Sequence, residues 1–186
     1  MPENIVDRIA GADGAWAFEI EAEPAWERAI PGWREALARV GGAVAPALAE
    51  ALAEAGTVAP AEVALLLADD ATVQGLNRDW RGIDKPTNVL SFATWWDDDC
   101  PPPPASDVAV HLGDLAFALS TLLAEARAEG KTSADHLAHL TVHGLLHLIG
   151  YDHGDEEEAC AMETLEVRLL AEIGVPDPYG GDRDDD

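Results

Sequence analysis

From Trp33 to about Ala55 apolar residues recur three or four apart, at Leu37, Val40, Val44, Leu48 and Leu52, the period of a helix with one face on a core. Gly41-Gly42 and Pro46 fall inside this run and predict an interruption. Upstream, residues 1–24 hold only short apolar runs, Ile5-Val6 and Trp16-Ala17-Phe18, enough for one edge strand. Glu62 to Ala68 is an apolar run followed by Asp69-Asp70, which predicts a buried strand and then a helix cap. A short helix through Val73, Leu76 and Asn77 leads on to Trp80-Arg81.

Asn88 to Ala93, after Pro86, and Val108 to Leu115 are the next expected strands. Between them Trp95 to Ser106, with four prolines from 101 to 104, is an expected exposed loop. Ala116 to Glu129 reads as a helix ended by Gly130, and Ser133 as the cap of the helix that follows. A last helix opens at Asp155 and its glutamates, acids suited to the positive end of the helix dipole, and runs to about Ile173. Strands and helices interleave. The expected class is therefore α/β (α+β): one domain over residues 1–175, a small mixed β-sheet packed with helices, then an acidic flexible tail over 176–186.

With 186 residues, nearly half of them apolar, the chain suits one domain with a sizeable core. No apolar stretch in this reading approaches a bilayer span, and Met-Pro-Glu-Asn lacks the basic start and apolar core of a signal peptide. A cytoplasmic protein with no membrane partner is expected. Cys100 and Cys160 make no disulfide framework and no metal-binding pair, and both are expected as free thiols. The formal net charge of −25 argues against a general nucleic-acid-binding surface, so any nucleic acid must be gripped locally. The acidic runs at 97–99, 155–158 and 182–186 fit solvated faces.

The chemistry concentrates in residues 143–153, His-Gly-Leu-Leu-His-Leu-Ile-Gly-Tyr-Asp-His. His143 and His147 stand four apart, so a helix projects them from one face. Gly150 ends that helix by accepting a left-handed turn, and His153 can swing in as a third ligand. Three neutral imidazoles suit one Zn²⁺ and leave a position open, as in catalytic sites. The metal site thus lies on a helix and the following turn. Five of the six histidines fall within residues 136–153; His136 and His139 share the helical face and either line the cleft, orient ligands or simply pack. The skeleton resembles that of metzincin peptidases, but their general-base glutamate is here Gly144. A glycine at that position is expected to let a substrate backbone approach the metal.

Together with this motif, Leu76-Asn77-Arg78-Asp79-Trp80-Arg81, Pro86-Thr87-Asn88-Val89-Leu90-Ser91-Phe92 and Leu112-Gly113-Asp114-Leu115 follow in an order that resembles the YbeY family of bacterial endoribonucleases. The matching pieces span residues 76–153, while residues 1–60 and those after about 175 match little. The resemblance implies one zinc ion on His143, His147 and His153. It also implies cleavage of single-stranded RNA in maturation of ribosomal RNA, notably the small-subunit RNA, and in ribosome quality control. The family's arginine near the metal corresponds to Arg81. Chemistry supports that role independently, because a guanidinium can stabilise charge on phosphate oxygens. Arg78, Arg81 and Lys85 against Asp79 and Asp84 leave a local charge of +1, so Arg78 and Lys85 are candidate substrate contacts, with His139.

A three-histidine zinc site lowers the pKa of bound water toward neutrality, so attack needs no strong protein base. Attack by the RNA 2′-hydroxyl is the other route, and the two leave different product ends. Asp114 and Asp152 are candidates for proton transfer or for orienting a histidine, although Asp152 can instead shape the turn. Two competing readings stay open: a zinc metallopeptidase-like hydrolase, and an acidic partner of ribosomal proteins or assembly factors with a structural metal.

Overall fold

The computed structural model describes residues 3–95 and 108–180. Its first two strands, β1 (Ile5–Ala10) and β2 (Trp16–Ala22), form an antiparallel hairpin where the sequence predicted a single edge strand. The edge strand β1 leaves Val6 exposed and pairs Arg8 with Glu19, so its apolar signal is diluted. After α1 (Pro24–Ala29) and α2 (Trp33–Glu54) come β3 (Ala61–Ala68), α3 (Asp70–Arg81), β4 (Val89–Ala93) and β5 (Val110–Ala118). Three helices finish the described chain: α4 (Leu119–Ala128), α5 (Ser133–Leu148) and α6 (Glu156–Glu172). The strand order is β1-β2-β3-β5-β4, parallel at β2/β3 and β3/β5 and antiparallel at both ends, which is the mixed sheet expected.

α2 runs unbroken through Gly41, Gly42 and Pro46, contrary to the expected interruption. A Cβ on Gly41 would lie 2.2 Å from the Trp16 ring, so the glycine is there to admit that ring, and tertiary packing outweighs the local propensity cost. This helix is also long and apolar enough, by length and composition, to cross a bilayer, which corrects the expectation that no stretch approaches that length. Its apolar stripe, Trp33, Leu37, Val40, Val44, Leu48 and Leu52, is instead buried in the core.

The sheet divides the interior into two unequal clusters. Val63, Leu65 and Leu67 of β3 join the large core with α2 and α5. The opposite side of the sheet holds a small cluster, Ala68, Val73, Leu90, Ala116 and Ala118, beneath α3. Ala116 to Ala118, expected as the start of a helix, extend β5 because they pair with Leu66 to Ala68 of β3 and with β4. Thr132, not Ser133, caps α5: its backbone is extended (φ −71°, ψ 149°) and its hydroxyl accepts the Asp135 N–H. Asp155 caps α6, whose first turn is acidic as expected. Most of the proline-rich loop, Cys100 within it, and residues 181–186 of the acidic tail lie outside the described residues. Cys160 is an exposed free thiol. Tyr179, on the tail side of the expected boundary, is half-buried and bonded to α6.

Candidate metal centre

α5 is apolar nearly all round, as a helix buried between a sheet and other helices must be. Beyond its first turn only His139, His143 and His147 are left half-exposed. Gly144 between them is fully buried. A Cβ there would lie 2.9 Å from Leu115 Cδ2 and 3.2 Å from Ser91 Oγ, so the glycine serves close packing of α5 on β5 and β4. That corrects the expectation that it admits a substrate backbone.

The turn after α5 is a Schellman motif. Gly150 N–H donates to the His147 carbonyl at 3.2 Å and Tyr151 N–H to the Leu146 carbonyl at 3.1 Å, with Gly150 at φ 93°. The chain reverses there. Asp152 shapes the last step by accepting the His153 N–H at 2.8 Å. The turn brings one ligand nitrogen from each of His143, His147 and His153 within 4.8 Å of the others, and these three side chains can hold a metal ion.

Hydrogen bonds assign the ring nitrogens. His143 Nδ1 lies 2.7 Å from Glu166 Oε1, and His147 Nδ1 lies 2.8 Å from the Tyr151 carbonyl. Both partners only accept, so both Nδ1 atoms carry the proton and both Nε2 atoms keep a lone pair. Those two Nε2 atoms face each other at 3.2 Å. Two lone pairs at that separation repel unless a cation lies between them, so the donor set fits a metal. Burial, then the neighbouring His143, holds His147 below the usual imidazole range, which keeps it in the neutral form a metal requires.

Glu166 is completely buried on α6. Burial alone would raise its pKa, but the nearby His139 and the hydrogen bonds from His143 and Tyr179 outweigh that and bring it down to about 2. Burial and the Glu166 charge push the Tyr179 phenol up. Neither residue was found from the sequence. The signal available was that Glu166 shares a helical stripe with Met162, Leu169 and Leu170, where a carboxylate demands a partner.

Arg81 ends α3, just before Gly82 takes the left-handed cap at φ 70°. It is exposed and lines a cleft of about 750 Å³ together with Asn88, Ser91 and the three histidines. The two acids near it in sequence have other partners: Asp79 pairs with Arg78 at 2.9 Å, and Asp84 accepts from Gln74 Nε2 at 2.9 Å. Among the described residues Arg81 has no ion-pair partner.

Asp152 also lines the cleft. Four other candidates do not. Asp114 lines a hollow on the opposite side of the sheet with Trp80 and Phe92, 3.6 Å from His111 Nε2. Arg78 is engaged by Asp79, and Lys85 contributes its carbonyl to Asn77 Nδ2 at 2.8 Å. His139 lies behind the ligands, 3.7 Å from Glu166, beside Tyr179. His136 is buried against Glu125 at 2.9 Å, and Glu125 also accepts from Asn88 at 3.0 Å, so this histidine helps hold the start of β4.

A family model described as Endoribonuclease YbeY matches residues 35–174. The chain is 55% identical over 157 residues to the Endoribonuclease YbeY of Paramagnetospirillum magneticum, covering 84% of this chain and 91% of that one. Against the Endoribonuclease YbeY of Rhodospirillum rubrum the identity is 48% over 165 residues, with 87% and 80% covered. Among solved structures, TM1509 from Thermotoga maritima, determined in solution, superposes with a TM-score of 0.50 at 20% identity over 88% of this chain and 90% of its own. That likeness concerns the fold alone.

Proposed function

The chain belongs to the YbeY endoribonuclease family, and we propose that it is a zinc-dependent, single-strand-specific endoribonuclease acting in the cytoplasm on small-subunit (16S) ribosomal RNA. Maturation of that RNA and ribosome quality control are the processes it serves. The observation that carries this reading is Arg81, an ion-unpaired guanidinium on the same cleft as three convergent histidines in a chain of net charge −25. A phosphodiester laid across the cleft finds there a local combination that suits an anion.

His143, His147 and His153 would hold the zinc, which when bound supplies Lewis-acid polarisation of a phosphate oxygen. Arg81 contributes two parallel N–H donors to the other phosphate oxygens and stabilises the charge that grows on them. Because no salt bridge has to be broken first, the arm reaches substrate without a competing cost. Among the described residues Asp152 is the carboxylate on the cleft and the candidate for moving a proton, from water or from a 2′-hydroxyl; Asp114 has no such access. Arg78 and Lys85 would act only at the periphery, on flanking phosphates, and His139, behind the histidine cluster, would support Glu166 instead of meeting substrate.

The peptidase alternative requires a glutamate where this chain has Gly144. A glutamate there would have to displace packed Leu115, since even a Cβ lies 2.9 Å from its Cδ2. The strongly acidic surface suits basic ribosomal proteins or assembly factors as partners that deliver the enzyme to ribosomal RNA.

The test is cleavage of a labelled single-stranded RNA, with a duplex control, by wild type, Arg81→Ala and His147→Ala, metal content being measured on each. Arg81→Ala should keep its metal and lose about 10²–10³ in kcat; His147→Ala should lose both. Metal-loaded wild type that leaves the single strand intact, or equal cleavage by all three, would sink the proposal.

A further inference from the structure

Glu166 presents a physical puzzle. It is 0% exposed, sits on the apolar stripe of α6, and among the described residues has no lysine or arginine beside it. A buried carboxylate without a cation is costly, and a leucine at that position would pack on the stripe without that cost. What the charge meets instead is the His143 Nδ1–H on Oε1 at 2.7 Å and the Tyr179 hydroxyl on Oε2, with His139 Nε2 at 3.7 Å. Both carboxylate oxygens are thereby held, one by the ligand and one by the C-terminal turn.

We propose that Glu166, clamped by Tyr179, is a positioning residue of the metal centre, fixing His143 as the Nδ1–H tautomer with Nε2 aimed at the ion and making that imidazole a more basic ligand. This rests on the reading of the three histidines as a metal site. A carboxylate hydrogen-bonded to the far nitrogen of a ligating histidine orients the ring and strengthens its donor atom. The two helical ligands are then unlike. His147 is oriented by the Tyr151 carbonyl, a neutral main-chain acceptor supplied by the Schellman turn, whereas His143 depends on a side-chain charge from a different helix. The segment from Val175 to Tyr179 becomes part of the site, because it carries the phenol that holds the carboxylate's second oxygen in place.

The experiment uses the full chain as wild type, Glu166→Leu, Glu166→Gln and Tyr179→Phe. Zinc affinity is measured by competition with a chromophoric chelator, thermal stability on the metal-free protein, and the His143 tautomer by ¹⁵N NMR of the imidazole. Glu166→Leu should bind zinc about 10–100-fold more weakly and release His143 into a mixture of tautomers, while the metal-free protein loses little thermal stability, because the leucine packs on the stripe and the half-exposed His143 and Tyr179 can turn to water. Glu166→Gln, which keeps an acceptor but not the charge, should retain the tautomer and fall between Glu166→Leu and wild type in affinity. Tyr179→Phe should weaken zinc by about two- to tenfold, the worth of one hydrogen bond.

Wild-type affinity and an unchanged tautomer in Glu166→Leu would overturn the proposal. So would collapse of Glu166→Leu together with unaltered zinc affinity in the other two variants, which would make Glu166 purely structural. A wild type that binds no zinc would instead overturn the metal reading itself, an outcome these measurements separate from the first two.

Discussion

On one wall of the cleft, α5 sends Leu137, Leu140, Leu145 and Leu148 into the large core and holds His143 and His147 through Glu166 and Tyr151. On the other, α3 carries Arg81 at its exposed C-terminal end and buries only Val73 and Asn77. The difference follows from what each wall would do under the proposed function. Metal ligands must converge within a few tenths of an ångström, which needs side chains locked by packing and hydrogen bonds. A phosphate-binding arginine needs reach and an unspent charge, so a lightly held helix end serves it well. Damage to the packing of the first wall should therefore appear as lost stability and lost metal, and damage to the second as lost rate in a folded, metallated protein.

The harshest way to probe this division is Gly144→Glu, which restores the peptidase residue on the packed wall. Overpacking costs about 1–3 kcal/mol, and an unpaired buried carboxylate adds roughly 3–5 kcal/mol. A fall in Tm of at least about 10 °C is expected for a domain of this size, with metal content falling alongside. If Gly144→Glu instead melted with the wild type, α5 would not be tightly seated on Leu115. On the second wall, Arg81→Lys keeps the charge but loses the planar fork. It should cost about 10-fold or more in kcat with Tm unchanged, and calorimetry beside single-turnover cleavage would show a shared loss of stability if the walls were not separate.

Asn77 tests an anchored point of the α3 wall near Arg81. It is 2% exposed, and its amide donates to the Lys85 carbonyl, tying the loop after Arg81 back to the helix. Asn77→Ala should destabilise by about 1–2 kcal/mol, because a carbonyl loses its partner in a part-buried place. Chemical denaturation would register that directly. A variant as stable as wild type would mean the loop is held by other contacts.

The metal wall was legible in the sequence and the arginine wall only in part, for reasons that lie in the residues. A 3.6-residue period, a glycine stop and histidines at i and i+4 all reinforce one another between residues 133 and 153, so the helix, the turn and the convergence of three histidines could be read locally. Glu166 and Tyr179 could not, since their partner is set by how α6 packs on α5, a long-range contact no local period reports. Asp114 was read toward the site because it sits in a motif; the register shift between Glu62 and Val63, opposite Gly113, accompanies a strand whose Asp114 faces the other side of the sheet. A Cβ on Gly113, at φ 148°, would lie 2.2 Å from the Phe92 carbonyl, so that irregularity is built in. The β1–β2 hairpin was underestimated because an edge strand need bury only alternate residues, and half-buried Ile5 and Ile9 are a faint pattern beside charged Asp7 and Arg8.

The mildest test falls on the start of α3. Asp69 accepts the Thr72 N–H at 2.8 Å, and that hydrogen bond holds its carboxyl below the usual 3.8. Removing the cap in Asp69→Ala should cost about 1 kcal/mol, or roughly 2–4 °C in Tm. Because the folded-state pKa is depressed, the cap's contribution is fully present above 3.8 and is lost as pH falls through the lower folded value. The gap between wild type and variant should therefore be constant from neutral pH down to about 5 and close below about 4. Arg81 lies at the opposite end of the same helix, where Gly82 and the Asn77 contact hold the chain independently. Cleavage rates well below the melting temperature should accordingly match the wild type. A variant that lost rate as well as stability would mean that α3 frays as a unit, and that the second wall owes its geometry to the whole helix instead of its C-terminal end.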